Sequence, residues 1–326
     1  MSTSVDSSPV HDGATQRLLR ALPLVSLGVM VSVGLLCLLF YARLPGRLPS
    51  EADYRAISER LRAEMKPGDA VLLFPWWTER ARLYLPPGLP VYGYFGSDRD
   101  DLNAHPRIWV LGEPHLPDAD EPGFLAAFLP GRTATGQPLQ AGNLTLTLYS
   151  NGRYRPHLFN ASEAYARARV YLESPDGTRR PCPFDGKAHR CPGPPHLYVA
   201  PEWHEIHFEP HHCLWMHPPG GKERLVAEFD NVPAGTGLRL EGGIIFEYAF
   251  ARNHLSNIHL GVDDAHSGQP LVELVVPQGV EGVQKAEVQL PPGEPRTVKL
   301  WSQADNSELR QVCVDLFALG PAGARP

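Results

Sequence analysis

The sequence lacks an excess of positive charge. Against 36 Asp and Glu residues it has 30 Lys and Arg residues, for a formal net charge of −6. A nucleic-acid-binding surface needs a basic patch, so nucleic acid is not an expected partner. The Gly-x-Ser-x-Gly elbow, the Walker loop and the Gly-x-Gly-x-x-Gly fingerprint are also absent, which leaves serine hydrolases and nucleotide-dependent enzymes without local support.

Proline and glycine are abundant instead, with 34 and 30 residues among 326. Both residue types end helices and make tight turns, so their number favours short strands over long helices. The hydrophobic fraction is 43% and the charged fraction is 20%, which is typical of a folded chain. The length suits two compact domains.

One apolar run stands near the N-terminus. Residues 21–42, ALPLVSLGVMVSVGLLCLLFYA, carry no charge, and a helix needs about 20 apolar residues to cross the hydrocarbon core of a membrane. The run is long for a cleaved signal peptide, and no small-x-small cleavage site follows it. The sequence therefore predicts a single transmembrane helix, 21–42, after an N-terminal tail, 1–20.

Two patterns disagree about which side of the membrane holds the rest of the chain. More arginines follow the apolar run than precede it, which favours a cytoplasmic location. Large domains translocate largely regardless of such charges, however. Four of the five cysteines lie beyond the run, and this even number suits two disulfides in an oxidising compartment. We therefore expect an extracytoplasmic location, in the periplasm or at the cell surface.

The four cysteines can be paired from their positions. Cys182 and Cys191 flank the turn-rich insert PFDGKAHR, and Cys213 and Cys313 each lie in a predicted strand. We expect the disulfides Cys182–Cys191 and Cys213–Cys313. A zinc knuckle that uses Cys182, His189 and Cys191 is the alternative.

Residues 50–135 are predicted to form a small α/β domain. Ser50 begins the amphipathic helix SEADYRAISERLRAEM, and the strands AVLLF, PVYGY and RIWVLG follow it. Residues 50–112 resemble the soluble C-terminal domain of multi-spanning glycosyltransferases that use lipid-linked sugars, through PGDAVLLFPWW, LYLPPGLPVYGY and RIWVL. The resemblance implies a fold and an envelope context without transferase activity, because the many membrane spans and the catalytic acidic loop of those enzymes are missing.

This domain is rich in aromatic side chains. Several of them alternate with apolar strand positions, so we interpret them as core residues rather than as a platform for sugar stacking. They are Phe74, Trp76, Trp77, Tyr84, Tyr92, Tyr94 and Phe95.

Residues 142–320 contain eleven strand candidates separated by turns, beginning with LTLTLYS, and predict an all-β sandwich. The segments RLVAEFDNVPAGTGLRLEGGIIFEYAF, NIHLGVDD, PRTVKLWSQADNS and VCVDLFAL resemble galactose-binding-like jelly rolls. That resemblance implies carbohydrate binding on an exposed sheet or on the loops at one end.

Polar and aromatic residues in two segments of this sandwich suit such a ligand. The expected ligand-binding residues are Arg252, Asn253, His254, Asn257, Trp301, Gln303 and Asn306. The alternative is that residues 252–257 cap a turn and that Trp301 belongs to the core.

The segment WHEIHFEPHHCLWMHP, residues 203–218, contains five histidines. We interpret it as a strand that Pro210 interrupts, with its side chains alternating between two faces. A zinc site needs three or four converging ligands, and these would have to meet across the turn at Pro210. The candidates are His207, Glu209, His211 and His212. We assign no metal ligand and no catalytic residue.

These patterns predict a membrane-anchored cell-envelope protein. Its β-sandwich is expected to bind a glycan or a protein partner without catalysis and without a cofactor. The alternatives are an accessory subunit of an envelope glycosyltransferase and a metal-dependent hydrolase that uses the histidines of residues 204–217.

Overall fold

A computed structural model of the protein describes residues 13–46, 48–94, 100–113, 120–245, 256–291 and 293–323. It contains an N-terminal apolar helix, a small α/β unit and a β-sandwich, which confirms the predicted fold class. Within these residues the α-helices are α1 (Gly13–Arg43), α2 (Glu51–Glu64), α3 (Glu121–Phe128) and α4 (Ala161–Ala164). Short 3-10 helices cover Leu44–Gly46, Thr78–Leu83, Asp100–Ala104 and Tyr165–Arg167.

Helix α1 contains the apolar run. Its segment Val25–Arg43 has a mean hydropathy of 2.3 and is not buried against any other part of the protein. The helix is long and apolar enough to cross a membrane.

A five-stranded sheet forms the α/β unit, in the order β2-β1-β3-β5-β4. Its strands are β1 (Ala70–Phe74), β2 (Val91–Gly93), β3 (Arg107–Gly112), β4 (Arg132–Ala141) and β5 (Leu144–Asn151). Strand β1 runs parallel to β2 and β3, whereas β5 pairs antiparallel with β3 and β4. Helix α2 begins at a capping box on Ser50 and packs Tyr54, Ile57 and Leu61 against one face of the sheet.

The segment LTLTLYS belongs to this first sheet and not to the sandwich. It lies in β5, whose residues Leu144 and Leu146 are buried in the same core as α2. The first sheet therefore extends to Asn151, beyond the expected limit of residue 135. An alternating pattern predicts that a segment is a strand, but it does not identify the strand with which the segment pairs.

Two antiparallel sheets form the sandwich. The seven-stranded sheet has the order β16-β13-β18-β11-β10-β9, and β6 also pairs with β18. Its strands are β6 (His157–Asn160), β9 (His189–Arg190), β10 (Tyr198–Ile206), β11 (Glu209–Met216), β13 (Gly237–Ile244), β16 (Gln284–Gln289) and β18 (Val312–Leu319).

The six-stranded sheet has the order β15-β14-β17-β12-β7-β8. Its strands are β7 (Arg169–Glu173), β8 (Arg179–Pro181), β12 (Arg224–Val232), β14 (Ile258–Asp264), β15 (Pro270–Val276) and β17 (Arg296–Gln303). Apolar residues from both sheets, among them Leu225, Leu240, Leu260 and Leu316, fill the space between them.

Both expected disulfides are confirmed. Cys182 and Cys191 are bonded with their Cα atoms 4.1 Å apart, and Cys213 and Cys313 with theirs 5.6 Å apart. Cys37, in α1, is a free and exposed thiol.

The aromatic residues of the α/β unit are only partly core residues. Phe74 and Tyr94 are buried, but Trp76 and Trp77 are each 43% exposed. The interpretation of these two tryptophans as core was therefore wrong, because they follow the end of β1 rather than lie within a strand. Phe95 lies outside the described residues.

Candidate functional site

The histidine-rich segment is a β-hairpin. Strands β10 and β11 are antiparallel. Their paired residues run from Val199 opposite Met216 to Ile206 opposite Glu209. The chain reverses at His207 and Phe208, whose φ angles are 49° and 66°. Such positive φ values at both central residues are typical of a tight hairpin turn. The prediction of an interruption at Pro210 was wrong, because this residue lies inside β11.

The hairpin separates the histidines. Each of three contacts its own carboxylate: His204 with Glu202 at 2.8 Å, His207 with Glu281 at 2.9 Å and His211 with Glu209 at 3.7 Å. Among the described residues, no three His, Cys, Asp or Glu side chains are grouped as a metal site would require.

A cleft of about 560 Å³ lies between the α/β unit and the outer face of the seven-stranded sheet. The α/β unit contributes Tyr92 and His105, and the sheet contributes His157 and Asp315. Residues on either side of Asp315 in β18 are in the sandwich core. Since side chains alternate along a strand, Asp315 points away from that core.

His105 has a fixed ring orientation. Its Nδ1 lies 2.9 Å from the carbonyl oxygen of Gly68, and its Nε2 lies 2.9 Å from the hydroxyl of Tyr92. A carbonyl can only accept, so Nδ1 carries the proton and Tyr92 donates to Nε2. Burial lowers the pKa of His105, which keeps the ring neutral.

His157 is held on the opposite wall. Arg239 donates to its Nε2 at 3.2 Å, and its ring lies against Phe317 with the centroids 4.4 Å apart. Burial, together with the positive charge of Arg239, lowers the pKa of His157 to about 3. The cleft therefore has a neutral histidine on each wall at neutral pH.

Asp315 is the most deeply buried acid of the cleft, with 5% of its surface exposed. Its Oδ1 accepts the backbone N–H groups of Ser162 at 3.2 Å and Leu316 at 2.8 Å. Within the described part of the chain its Oδ2 is buried and has no hydrogen-bond partner. Burial raises the pKa of Asp315 to about 7, so a proton on this carboxyl is available at neutral pH.

The ligand-binding residues predicted from the sequence lie elsewhere. Arg252, Asn253 and His254 are outside the described residues. Asn257 accepts the backbone N–H of Gln278 at 3.0 Å. Asn306 is linked to the residue before Asn257, because its backbone N–H donates to the Ser256 hydroxyl at 3.0 Å. Asn257 and Asn306 are thus close to each other.

Trp301 and Gln303 lie in a second place, on β17. Trp301 is 4% exposed, and the guanidinium of Arg224 lies 3.8 Å from its ring centroid. The same arginine donates to Gln303 Oε1 at 3.3 Å. The described members of the predicted set therefore form two groups, and their binding role stays a prediction.

Sequence reasoning did not find the cleft. Its walls come from segments as distant as β2 and β18, and no local motif links Tyr92 or His105 to Asp315. The only signal in the sequence was the histidine-rich hairpin, which contributes Trp203 and His212 to the rim.

No protein-family model and no curated protein matches this sequence. Solved structures with some similarity include the xylan-binding module CBM15, with a TM-score of 0.27 and 6% identity over 46% of this chain and 90% of that one. A xylan-binding domain from CBM22 has a TM-score of 0.29 and 9% identity over 52% of this chain and 97% of that one. CBM51 from Clostridium perfringens GH95, in complex with methyl-galactose, has a TM-score of 0.23 and 10% identity over 46% of this chain and 77% of that one.

These similarities cover about half of the chain at low TM-scores and assign no function to it. The resemblance of residues 50–112 to glycosyltransferase domains stays a prediction.

Proposed function

We propose that this protein is a membrane-anchored binding protein that holds a glycan in the cleft between the α/β unit and the sandwich. The observation that carries the proposal is the composition of this cleft of about 560 Å³, which combines aromatic rings with polar groups of both hydrogen-bonding types. A sugar presents hydroxyls that both donate and accept, and a C–H face that packs on an aromatic ring.

Trp203 is the ring best placed to meet such a C–H face. It lines the cleft and is 70% exposed, and its centroid lies 5.2 Å from that of His212. A large exposed indole at the rim of a polar cleft is available for stacking without any rearrangement of the core. The neutral His105 and His157 supply polar groups deeper in the cleft.

The location follows from two further features. Helix α1 has the length and hydropathy of a membrane span. The two disulfides, Cys182–Cys191 and Cys213–Cys313, suit an oxidising compartment. We place the globular part in the cell envelope, outside the cytoplasm. Alkaline phosphatase fused after Gly320 should therefore be active, and an inactive fusion would place this part inside.

A glycan array probed with the full-length chain in lipid nanodiscs tests the proposed binding. The wild type should be retained by at least one envelope polysaccharide, and Trp203→Ala should weaken retention at least about fivefold, because stacking on an aromatic ring contributes about 1 kcal/mol or more. Phe208→Ala is the matched control. This residue is 55% exposed on the same hairpin and does not line the cleft.

Three outcomes count against this proposal. A wild type that no glycan retains, or a Trp203→Ala variant that binds as well as the wild type, contradicts binding in the cleft. Loss of binding in Arg252→Ala, with Trp203→Ala unaffected, would favour the end-loop site predicted from the sequence. Stoichiometric zinc or another transition metal in the purified chain would favour the alternative of a metal-dependent hydrolase.

A further inference from the structure

Three large apolar side chains of the α/β unit are exposed within a short stretch of sequence. Trp76 and Trp77 are each 43% exposed, and Leu83 is 81% exposed. The two tryptophans follow β1 directly, in a turn at the carboxyl end of that strand, and Leu83 ends the 3-10 helix that comes next. The two indole rings meet edge to face, with their centroids 5.7 Å apart. An exposed tryptophan pair is a larger apolar surface than single scattered residues explain.

The start of helix α2 lies at the same edge of the sheet. In the first turn of α2, Tyr54 stacks on Tyr84 at 5.1 Å and donates from its hydroxyl to Glu113, the residue after β3, at 3.3 Å. At the other end of the helix, Arg107 at the start of β3 donates to the carbonyl of Glu64 at 2.9 Å. Helix α2 is therefore antiparallel to the parallel strands β1, β2 and β3, and its N-terminus lies at their carboxyl ends.

This edge is tied closely to α1. Residues 44–50, seven in all, separate α1 from α2, and seven extended residues span at most about 25 Å. The connection is shorter than that limit, because Leu48 donates its N–H to the carbonyl of Leu44 at 3.1 Å and Pro49 is buried. The edge that holds Trp76 and Trp77 is thus the part of the α/β sheet nearest to the apolar helix.

We propose that Trp76 and Trp77 insert into the interfacial layer of the same bilayer that α1 spans. Indole rings prefer the headgroup boundary, where their apolar body and their polar N–H are both satisfied. In this arrangement Arg80, exposed on the 3-10 helix that follows the two tryptophans, contacts lipid phosphates. This proposal rests on the proposed function in one respect, since it requires α1 to be a membrane anchor.

The insertion has a consequence for the cleft. His105 and Gly68 precede β3 and β1 and mark the amino ends of the parallel strands. The cleft wall to which His105 belongs is therefore at the edge of the sheet opposite to Trp76 and Trp77. With the carboxyl edge fixed on the bilayer, the cleft is held away from the lipid and open to ligands in the aqueous compartment.

Tryptophan fluorescence tests the insertion, because none of the six tryptophans lies in α1. The full-length chain is reconstituted in nanodiscs made with ordinary or acyl-chain-brominated phosphatidylcholine, since bromine quenches only indoles in contact with the lipid. The wild type should be quenched, and a Trp76→Phe/Trp77→Phe double variant should lose most of that quenching. Trp203→Phe, which removes an exposed indole from the cleft rim, should keep it.

Folding of the double variant is checked by near-ultraviolet circular dichroism and by retention of both disulfides. If the variant does not fold, a polarity-sensitive probe on Trp77→Cys in a Cys37→Ser background replaces it, and its emission should shift to the blue in nanodiscs. The insertion is contradicted if the membrane-anchored wild type is not quenched by the brominated lipid, or if the double variant is quenched as strongly as the wild type. Probe emission that does not shift in nanodiscs contradicts it as well. If the chain does not float with membranes in a flotation assay, the result contradicts the membrane anchor of the proposed function as well as the insertion.

Discussion

At the scale of single residues, burial determines the charge of three side chains in the sandwich. It lowers the pKa of His157 to about 3 and that of His217 to about 4, and it raises the pKa of Asp315 to about 7. The common cause is that burial disfavours the charged form of any group. Of the three, Asp315 alone both lines the cleft and has a buried side-chain atom without a hydrogen-bond partner among the described residues, its Oδ2.

The pH dependence of stability should therefore change in Asp315→Asn. The pKa of Asp315 rises from 3.8 to about 7 on folding, so the folded state holds the proton more tightly. The resulting stability is complete below about pH 4 and is lost as the pH rises to about 7, by about 1.4 kcal/mol per pH unit. Urea unfolding of both proteins across this range measures the effect.

The histidines are present in both proteins, so their contribution cancels in the difference between the two unfolding free energies. The free energy of unfolding of the wild type, relative to that of the asparagine variant, should fall as the pH rises. A constant difference would show that Asp315 ionises in the folded protein as it does in the unfolded chain.

At the scale of elements, the β10–β11 hairpin places Trp203 at the cleft while its turn is strained. His207 and Phe208 both have positive φ, which side chains other than those of glycine and asparagine rarely adopt. The strain is offset by the pairing of eight residues on each strand. The strand pairing therefore keeps the hairpin folded although the residues of its turn, His207 and Phe208, are poorly suited to positive φ angles.

Phe208→Gly should raise the free energy of unfolding by about 1 kcal/mol, because glycine adopts the φ of 66° without a steric penalty. Chemical denaturation of the two proteins gives the difference. Trp203→Gly serves as the control, since this exposed strand residue has ordinary backbone angles and its replacement should lower stability. A decrease in stability with both glycines would contradict the strain at the turn.

At the scale of the whole molecule, the α/β unit joins an apolar helix to a sandwich through opposite edges of one sheet. The carboxyl edge holds Trp76 and Trp77 next to the start of α2, and the amino edge holds His105 at the cleft. The disulfides lie only in the sandwich. This arrangement suits a binding domain displayed at a distance from the membrane surface.

The thiols of the intact chain report the compartment in which it folds. Protein isolated from membranes with an alkylating agent present should carry one label, on Cys37, the only free cysteine within the described residues. The Cys182–Cys191 and Cys213–Cys313 peptides should remain linked in non-reducing mass spectrometry. Cys37→Ser should carry no label. Four further labelled thiols would contradict both the pairing and the extracytoplasmic location.

Several features of this protein follow from the sequence by itself. The charge-free run of residues 21–42, the helix that begins at Ser50 and the strand alternation all depend on neighbours within a few residues, so local reasoning predicts them. The pairing of Cys182 with Cys191 is of the same kind, since a short turn brings the two together. The fold class follows from the order of such elements.

Only the tertiary structure decided the rest. Residues 144–151 have a strand pattern that fits either sheet, and their pairing with β3 assigns them to the first. The exposure of Trp76 depends on which residues pack over the end of β1. The cleft depends on the contact of the α/β unit at Tyr92 with the sheet that holds Asp315, more than 200 residues later in the chain. These properties come from contacts between residues that are distant in sequence, and the local sequence around each residue does not specify which distant residue it will contact.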